Sequence, residues 1–375
     1  MSNDASATLR DGEPILPRYD GGCVSNVIPA LLDPSDDAPS WLPRPAVEAE
    51  QVVFLLVDGL GWEQLDSRRK LAPTLASMAG GPITTIAPTT TATALTSITT
   101  GLAPGEHGVM GYRMVVDGRV LNTLRWAVDG KDARQSIVPQ KTQIHTPFLG
   151  QRPPVITRAE FRTSGFTGAH LDSARFYGFR VVSTIVTETE MLLRRNEPFV
   201  YAYYDGLDKV SHEYGLGAHY DAELVAIDRL VADLLGLLRP GGCVVVISDH
   251  GQVHVGDRVE KLHPDVASLV SLQSGEGRFR WLHARSGRLH DLASACETHH
   301  GHLAWVRTRE QTIDEGWWGP SVTDDARRRL GDVALVAREP VAFHDPADSG
   351  PYELVGRHGS LTSAEVLVPL LAAGV

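Results

Sequence analysis

The sequence predicts an α/β fold with a mostly parallel central sheet flanked by helices, on three observations. First, residues 52–57 (VVFLLV), 199–204 (FVYAYY) and 243–247 (CVVVI) are continuous apolar runs, the pattern of strands covered on both faces. Second, each run delivers acidic residues at its C-terminal end: Asp58 after the first, Asp205 and Asp208 after the second, Asp249 with His250 after the third. In open α/β sheets that edge is where ligands bind. Third, helical spacing separates the runs. Leu224, Ile227, Leu230, Val231, Leu234 and Leu238 lie on one stripe of 221–238, closed by Pro240-Gly241-Gly242. Residues 91–100 read as a shorter helix of small residues with Gly101 as its stop. Such alternation of strands and helices favours a parallel sheet.

The chain of 375 residues, 42% hydrophobic and 22% charged, is long enough for one large α/β domain carrying an insert. Residues 1–50 are polar and rich in Pro and Asp, apart from the apolar stretch 24–32. They read as an N-terminal arm ahead of a main domain over 51–375. Residues 115–165 are rich in polar residues, Pro and Gly, and no buried strand is expected there. Residues 263–345 have their own pattern: a strand at 279–283, a helix at 289–298, and strands at 303–307 and 333–337. This predicts a small α/β insert. The net charge of −11 argues against a nucleic-acid-binding surface but not against a small phosphorylated substrate. Three widely spaced cysteines, Cys23, Cys243 and Cys296, do not make a disulfide framework. The N-terminal residues lack a basic start followed by an apolar stretch, and no apolar run is long enough to span a membrane. A cytoplasmic location is the expectation; the sequence says nothing of oligomeric state.

Six residues are candidate metal ligands: Asp58, Asp208, His212, Asp249, His250 and His358. An isolated Asp at a strand end is commonly a helix cap, and a lone His is commonly a surface or core residue. The weight lies in the set. Asp249-His250 follows a buried run directly, and Asp208 and His212, four apart, share a face if helical. Carboxylates with imidazoles suit zinc, and manganese less specifically. The run Thr89-Thr90-Thr91 precedes the 91–100 helix. A bare threonine run reads as an N-cap. At a helix N-terminus, however, backbone N–H groups favour an anion, and beside metals a threonine hydroxyl can be activated as a nucleophile.

Five segments then occur in one order. They are Val57-Asp58-Gly59-Leu60; the threonine run with Thr100-Gly101-Leu102 and Pro104-Gly105-Glu106-His107-Gly108 after it; Asp208 with His212; Ser248-Asp249-His250-Gly251; and Gly356-Arg357-His358-Gly359. This ordered set resembles the alkaline phosphatase superfamily. Within it, the chain is most similar to the type I phosphodiesterase/nucleotide pyrophosphatase family, over roughly 51–113, 198–254 and 352–370. The resemblance implies an alkaline-phosphatase-like core and two divalent ions, zinc by preference with manganese as the alternative. Asp58, Asp249 and His250 would hold one; Asp208, His212 and His358 would hold the other. Thr91, placed by counting back from Thr100-Gly101-Leu102, would be the nucleophile. The implied reaction is hydrolysis of a phosphodiester or phosphoanhydride, with nucleotides among the candidate substrates, through a phospho-threonine intermediate.

One position departs from the pattern. Related phosphodiesterases usually place an asparagine three residues after the nucleophile, where this chain has Ala94. A phosphomonoesterase or phosphonate hydrolase is therefore the alternative enzyme, and a metal-binding protein without turnover the non-enzyme alternative. Among the remaining candidates, His107 reads as structural, and Asp205 yields to Asp208 on its spacing to His212. His254 reads equally as a neighbour of the site or a surface residue, and His299, His300 and His302 as a solvated cluster. Trp317-Trp318 would either stack a base or pack the insert onto the core.

Overall fold

The computed structural model describes residues 12–35, 37–348 and 353–375. The elements that build and support the site are, in chain order, α1 (Val24–Leu32), β1 (Gln51–Val57), β2 (Ala79–Thr84), α2 (Thr91–Thr100), β3 (Pro154–Arg158), β4 (Arg175–Phe179), β5 (Phe199–Tyr204), α3 (Gly206–Tyr214), α4 (Ala218–Leu235) and β6 (Gly242–Ile247). The later part of the chain adds α5 (Pro264–Leu269), β7 (Val270–Glu276), β8 (Phe279–Ala284), α6 (Leu289–His300), β9 (Ala304–Thr308), β10 (Val333–Ala337) and β11 (Leu367–Gly374).

Seven strands form the central sheet in the order β2-β11-β6-β1-β5-β3-β4. The five from β6 to β4 run parallel. The three apolar runs of the sequence are β1, β5 and β6, which lie side by side in the middle. Their side chains alternate between the two faces. Val52, Phe54 and Leu56 join a cluster that includes Ile98 of α2. Val53, Leu55 and Val57 join a second cluster with Leu224, Ile227, Val231 and Leu234 of α4. Burying each such side chain stabilises the fold by about 1.5–3 kcal/mol, so both helical layers are held to the sheet.

Two parts of the sheet depart from the sequence reading. β3 lies within 115–165, where no buried strand was expected, and its first four residues are buried. It has only five residues and begins with proline, too short to carry a periodic signal; its burial comes from β5 and β4 on either side. At the other edge, β11 and β2 run antiparallel to their neighbours. Pro82 of β2 is tolerated because β2 is an edge strand. Pro369, opposite Pro82, precedes the β6–β11 ladder, which starts at Leu370.

The segment ahead of β1 is laid onto the core. Val24, Val27 and Ile28 of α1 are fully buried in the cluster that contains Ile98. Gly101 ends α2 in the left-handed region (φ 75°), and a Cβ there would come within 2.6 Å of Pro29. Only glycine satisfies both demands.

Residues 263–345 hold a four-stranded antiparallel sheet, β7-β8-β10-β9. The foreseen elements correspond to β8, α6, β9 and β10; β7 was not foreseen. One face packs Leu282, Val306, Val333 and Leu335 with Leu292 and Cys296 of α6. The other carries Phe279, Trp281, Trp305 and Val336 into the main core. Trp317 and Trp318 are fully buried there. Their indole N–H groups donate to Glu315 and Thr312 (2.9 Å each), so the pair packs the insert rather than offering a stacking surface. Arg278, in the β7–β8 turn, donates from Nε and Nη2 to the two carboxylate oxygens of Glu365 (2.8 Å each). Both side chains are fully buried. Among the described residues, no helix is long and apolar enough to cross a membrane.

Candidate functional site

Sheet register sets the site. Leu56 of β1 pairs with Ile247 of β6 on one side and Tyr203 of β5 on the other, so the three strands end level. Asp58 follows β1, Ser248-Asp249-His250 follows β6, and α3 leaves β5 carrying Asp208 and His212 one turn apart. Gly59 turns the chain at φ 76°, and a Cβ there would sit 2.8 Å from the Gln252 amide and 3.1 Å from the Asp208 Cα. His358 arrives on the bridge that pairs Arg357 with Val253. A second bridge, Thr89 to Gly359, lays the threonine run beside it.

All seven sequence-predicted residues meet here. His250 Nε2 lies 3.4 Å from Asp58 Oδ1, 3.3 Å from Asp249 Oδ2 and 3.2 Å from Thr91 Oγ1. Asp208 Oδ1 lies 3.3 Å from His212 Nε2 and 3.8 Å from His358 Nε2. The His250 and His358 rings stack at 3.6 Å. Two trios have ligand atoms within 4.8 Å of one another: Asp58, Asp249 and His250, and Asp208, His250 and His358. His250 belongs to both, and His212 flanks the second through Asp208.

The hydrogen bonds around these groups orient them. His212 Nδ1 meets the Gly356 carbonyl at 2.7 Å, His250 Nδ1 the Gly251 carbonyl at 3.1 Å, and His358 Nδ1 the Thr89 carbonyl at 2.8 Å. A carbonyl only accepts, so each Nδ1 carries the proton and each Nε2 turns a lone pair inward. The carboxylates are likewise half-anchored. Tyr203 donates its hydroxyl to Asp58 Oδ2. The Gly59 and His250 N–H groups donate to Asp249 Oδ1 at 3.1 and 3.0 Å. The remaining oxygens, Asp58 Oδ1 and Asp249 Oδ2, are buried without a hydrogen-bond partner among the described residues. Unpaired buried carboxylate is costly, by several kcal/mol in round figures (~3–5). Burial pushes the Asp58 carboxyl well above the usual range, with Asp249 and Asp208 adding to the rise. Burial also raises Asp249 and, with His250 and His212 nearby, drives His358 well down. Carboxylate oxygens and imidazole Nε2 lone pairs converge here, a donor set that fits divalent cations taking mixed O/N ligands.

Thr91 opens α2 and is 6% exposed. Three further hydroxyls of this threonine-rich, buried helix return to its own carbonyls. Thr96 donates to Ala92, Thr99 to Leu95 and Thr100 to Thr96, at 2.7–2.8 Å. Ala94 is core, and the hydroxyl of Thr93 is buried with no partner among the described residues.

Three neighbours escaped the sequence reading. Besides Tyr203 on Asp58, Gln252 donates its amide to Asp208 Oδ1 at 2.5 Å, and Glu276 of β7 is buried with Oε2 3.8 Å from His358 Nδ1. Gln252 directly follows Ser248-Asp249-His250-Gly251, and that adjacency was a usable signal. Nothing in the sequence marks Glu276, which comes from the insert. Asp205 is engaged by Arg158 and by Lys209 at 2.7 Å. His107 Nδ1 accepts from the Val109 N–H (3.0 Å) and its Nε2 faces the Ser97 hydroxyl (2.8 Å); burial lowers its pKa to about 3. His254 is exposed.

The family description "Type I phosphodiesterase / nucleotide pyrophosphatase" matches residues 52–361. The chain belongs to this family. Membership places it among phosphoester hydrolases. No curated protein matches the sequence. Solved structures with a similar fold include murine ectonucleotide pyrophosphatase/phosphodiesterase 5, as an inactive variant in complex with AMP. That match has a TM-score of 0.65 at 16% identity over 87% of this chain and 88% of that one. The human protein of the same name gives 0.65 and 16%, over 86% and 88%. Phosphonoacetate hydrolase from Sinorhizobium meliloti 1021, in complex with phosphonoformate, gives 0.62 and 17%, over 87% and 90%. At these identities the likeness is one of fold.

Proposed function

We propose that this family member is a two-metal hydrolase of phosphodiester or phosphoanhydride bonds in small phosphorylated substrates, nucleotides included, acting in the cytoplasm with Thr91 as nucleophile. One observation carries the reading: the Thr91 hydroxyl lies 3.2 Å from the Nε2 of His250, the residue shared by both ligand trios. Asp58, Asp249 and His250 would hold one cation, and Asp208, His212 and His358 the other, zinc by preference over manganese. When bound, the cations would neutralise phosphate charge and lower the hydroxyl pKa of Thr91. The first N–H groups of α2 would face the same anion. Thr91 Oγ would form a bond to phosphorus as the bond to the leaving oxygen breaks, and water would then release the phosphoryl group from the threonine. Gly356, Gly251 and Thr89 would keep the imidazoles oriented throughout by accepting from their Nδ1–H groups.

A second reading has its own observation. Ala94 packs in the core, so no amide at that position reaches a phosphate oxygen. This favours a phosphonate or phosphomonoester hydrolase on the same metals, and a neighbour in fold is a phosphonoacetate hydrolase. Purified protein with zinc or manganese should be assayed on bis-nitrophenyl phosphate, nitrophenyl phosphate and phosphonoacetate, with Thr91→Ala as control. Diester cleavage that vanishes in the variant supports the first reading. Preference for the monoester or the phosphonate supports the second. Turnover that survives in Thr91→Ala overturns the nucleophile.

A further inference from the structure

A second place in the molecule gathers metal-binding side chains, on the outer side of the insert and on residues the proposed reaction does not use. His263 precedes α5, Asp265 lies in its first turn, and His299 lies in the last turn of α6. Their ligand atoms all fall within 4.8 Å of one another. Asp265 Oδ2 is 3.5 Å from His263 Nδ1 and 3.2 Å from His299 Nε2. The two rings lie face to face, 3.6 Å apart and 8° from parallel.

Proximity alone would suit a histidine–carboxylate ion pair. The hydrogen bonding argues otherwise. The backbone N–H of Asp265 points at His263 Nδ1 from 3.3 Å, so that nitrogen is an acceptor and carries no proton. Nδ1 therefore has no proton to give the carboxylate oxygen 3.5 Å away, and no Nδ1–H···O bond holds the pair. The single Nδ1 lone pair is engaged only by this long N–H contact, which a cation held between Nδ1 and the carboxylate would replace. The backbone is also held ready. The His263 N–H donates to His300 Nε2 at 3.2 Å, which fastens the residue before α5 to the end of α6.

We propose that His263, Asp265 and His299 form a separate binding site for a transition-metal dication, with zinc the first candidate and solvent completing the coordination. Two imidazoles and one carboxylate make a three-ligand set of the kind zinc accepts with a further position open. Nitrogen donors disfavour magnesium and calcium, which take oxygen. The side chains of His263 and His299 are 42% and 27% exposed, so the ion has an open path. Binding would tie the start of α5 to the end of α6. This assignment is independent of the chemistry at Thr91.

The test is a count. Tag-free full-length protein is stripped with a chelator and titrated with Zn2+ against a chromophoric competitor, beside His299→Ala and Asp265→Asn. His299→Ala is the cleaner probe because His263 also caps α5. Asp265→Asn preserves shape if the alanine variant is suspected of loosening the helix, and thermal melts of the stripped proteins check that both remain folded. The expected result is one zinc equivalent fewer per chain in each variant, or that equivalent bound at least tenfold more weakly, with hydrolysis at wild-type rate. Equal stoichiometry and equal isotherms in wild type and both variants would overturn the site and leave an ion pair in its place.

Discussion

Asp58, Asp249 and His250 leave the ends of two neighbouring strands and are 2%, 0% and 0% exposed. Asp208 and His212 ride one turn of α3, and His358 follows a two-residue bridge; their exposures are 13%, 16% and 8%. The first flank is fixed by the register of a parallel sheet, whose interior has no slack. The second is carried by one turn of a helix and a two-residue bridge, and is more open to solvent.

The hydroxyl between the flanks should dominate activity. Thr91→Ala is expected to lower hydrolysis by at least about a thousandfold, with metal content unchanged by elemental analysis. Loss of both together would mean that Thr91 belongs to one flank rather than to their junction. Next come the groups that orient one carboxylate on each side. Tyr203→Phe should weaken cation binding at the strand-end flank, and Gln252→Ala at the helix-borne flank, each by about 10–100-fold. Titration with Co2+, read by visible absorption, would reveal whether each variant disturbs one step or both.

A smaller effect reverses its sign. In metal-free protein, Asp58→Asn removes a buried ionisable group whose charged form is disfavoured by burial and by Asp249, so chelated variant should melt above chelated wild type, by about 1–3 kcal/mol of stability. With metal restored the order should invert. His212→Gln, on the more exposed flank, should leave the chelated melting point nearly unmoved. The smallest effect lies outside the site. His107 titrates at about 3 when folded, against an ordinary value of 6.5. Between those values the unfolded chain binds a proton that the folded one refuses, so stability falls as pH drops below 6.5. His107→Asn should remove up to about 1.4 kcal/mol per pH unit of that slope, measured by denaturant melts at pH 6.5 and 5.

How much of this was readable beforehand follows from how local each signal is. β1, β5 and β6 are buried on both faces, so their runs are apolar without interruption, and each ends beside a candidate ligand. α4 carries its apolar stripe alone. β3 escaped because its burial is conferred by neighbours distant in sequence. β2, with Gly80-Gly81-Pro82, carries no strand signal of its own and gains its place by pairing with β11. At the site, the six candidate ligands and Thr91 belong to short segments whose order is itself information. Tyr203 has its place through strand alternation, which sends it to the same core cluster as Phe54 and Tyr201. Glu276 could not be read, because only the docking of the insert brings it to His358.

The Arg278–Glu365 pair has a dynamic consequence. Swinging the insert away would have to break a bidentate ion pair whose two side chains are buried together, in addition to separating the apolar surfaces around it. The insert should therefore not breathe as an independent flap. Its slowest amides should exchange with solvent only when the central sheet also opens, the two behaving as a single cooperative unit.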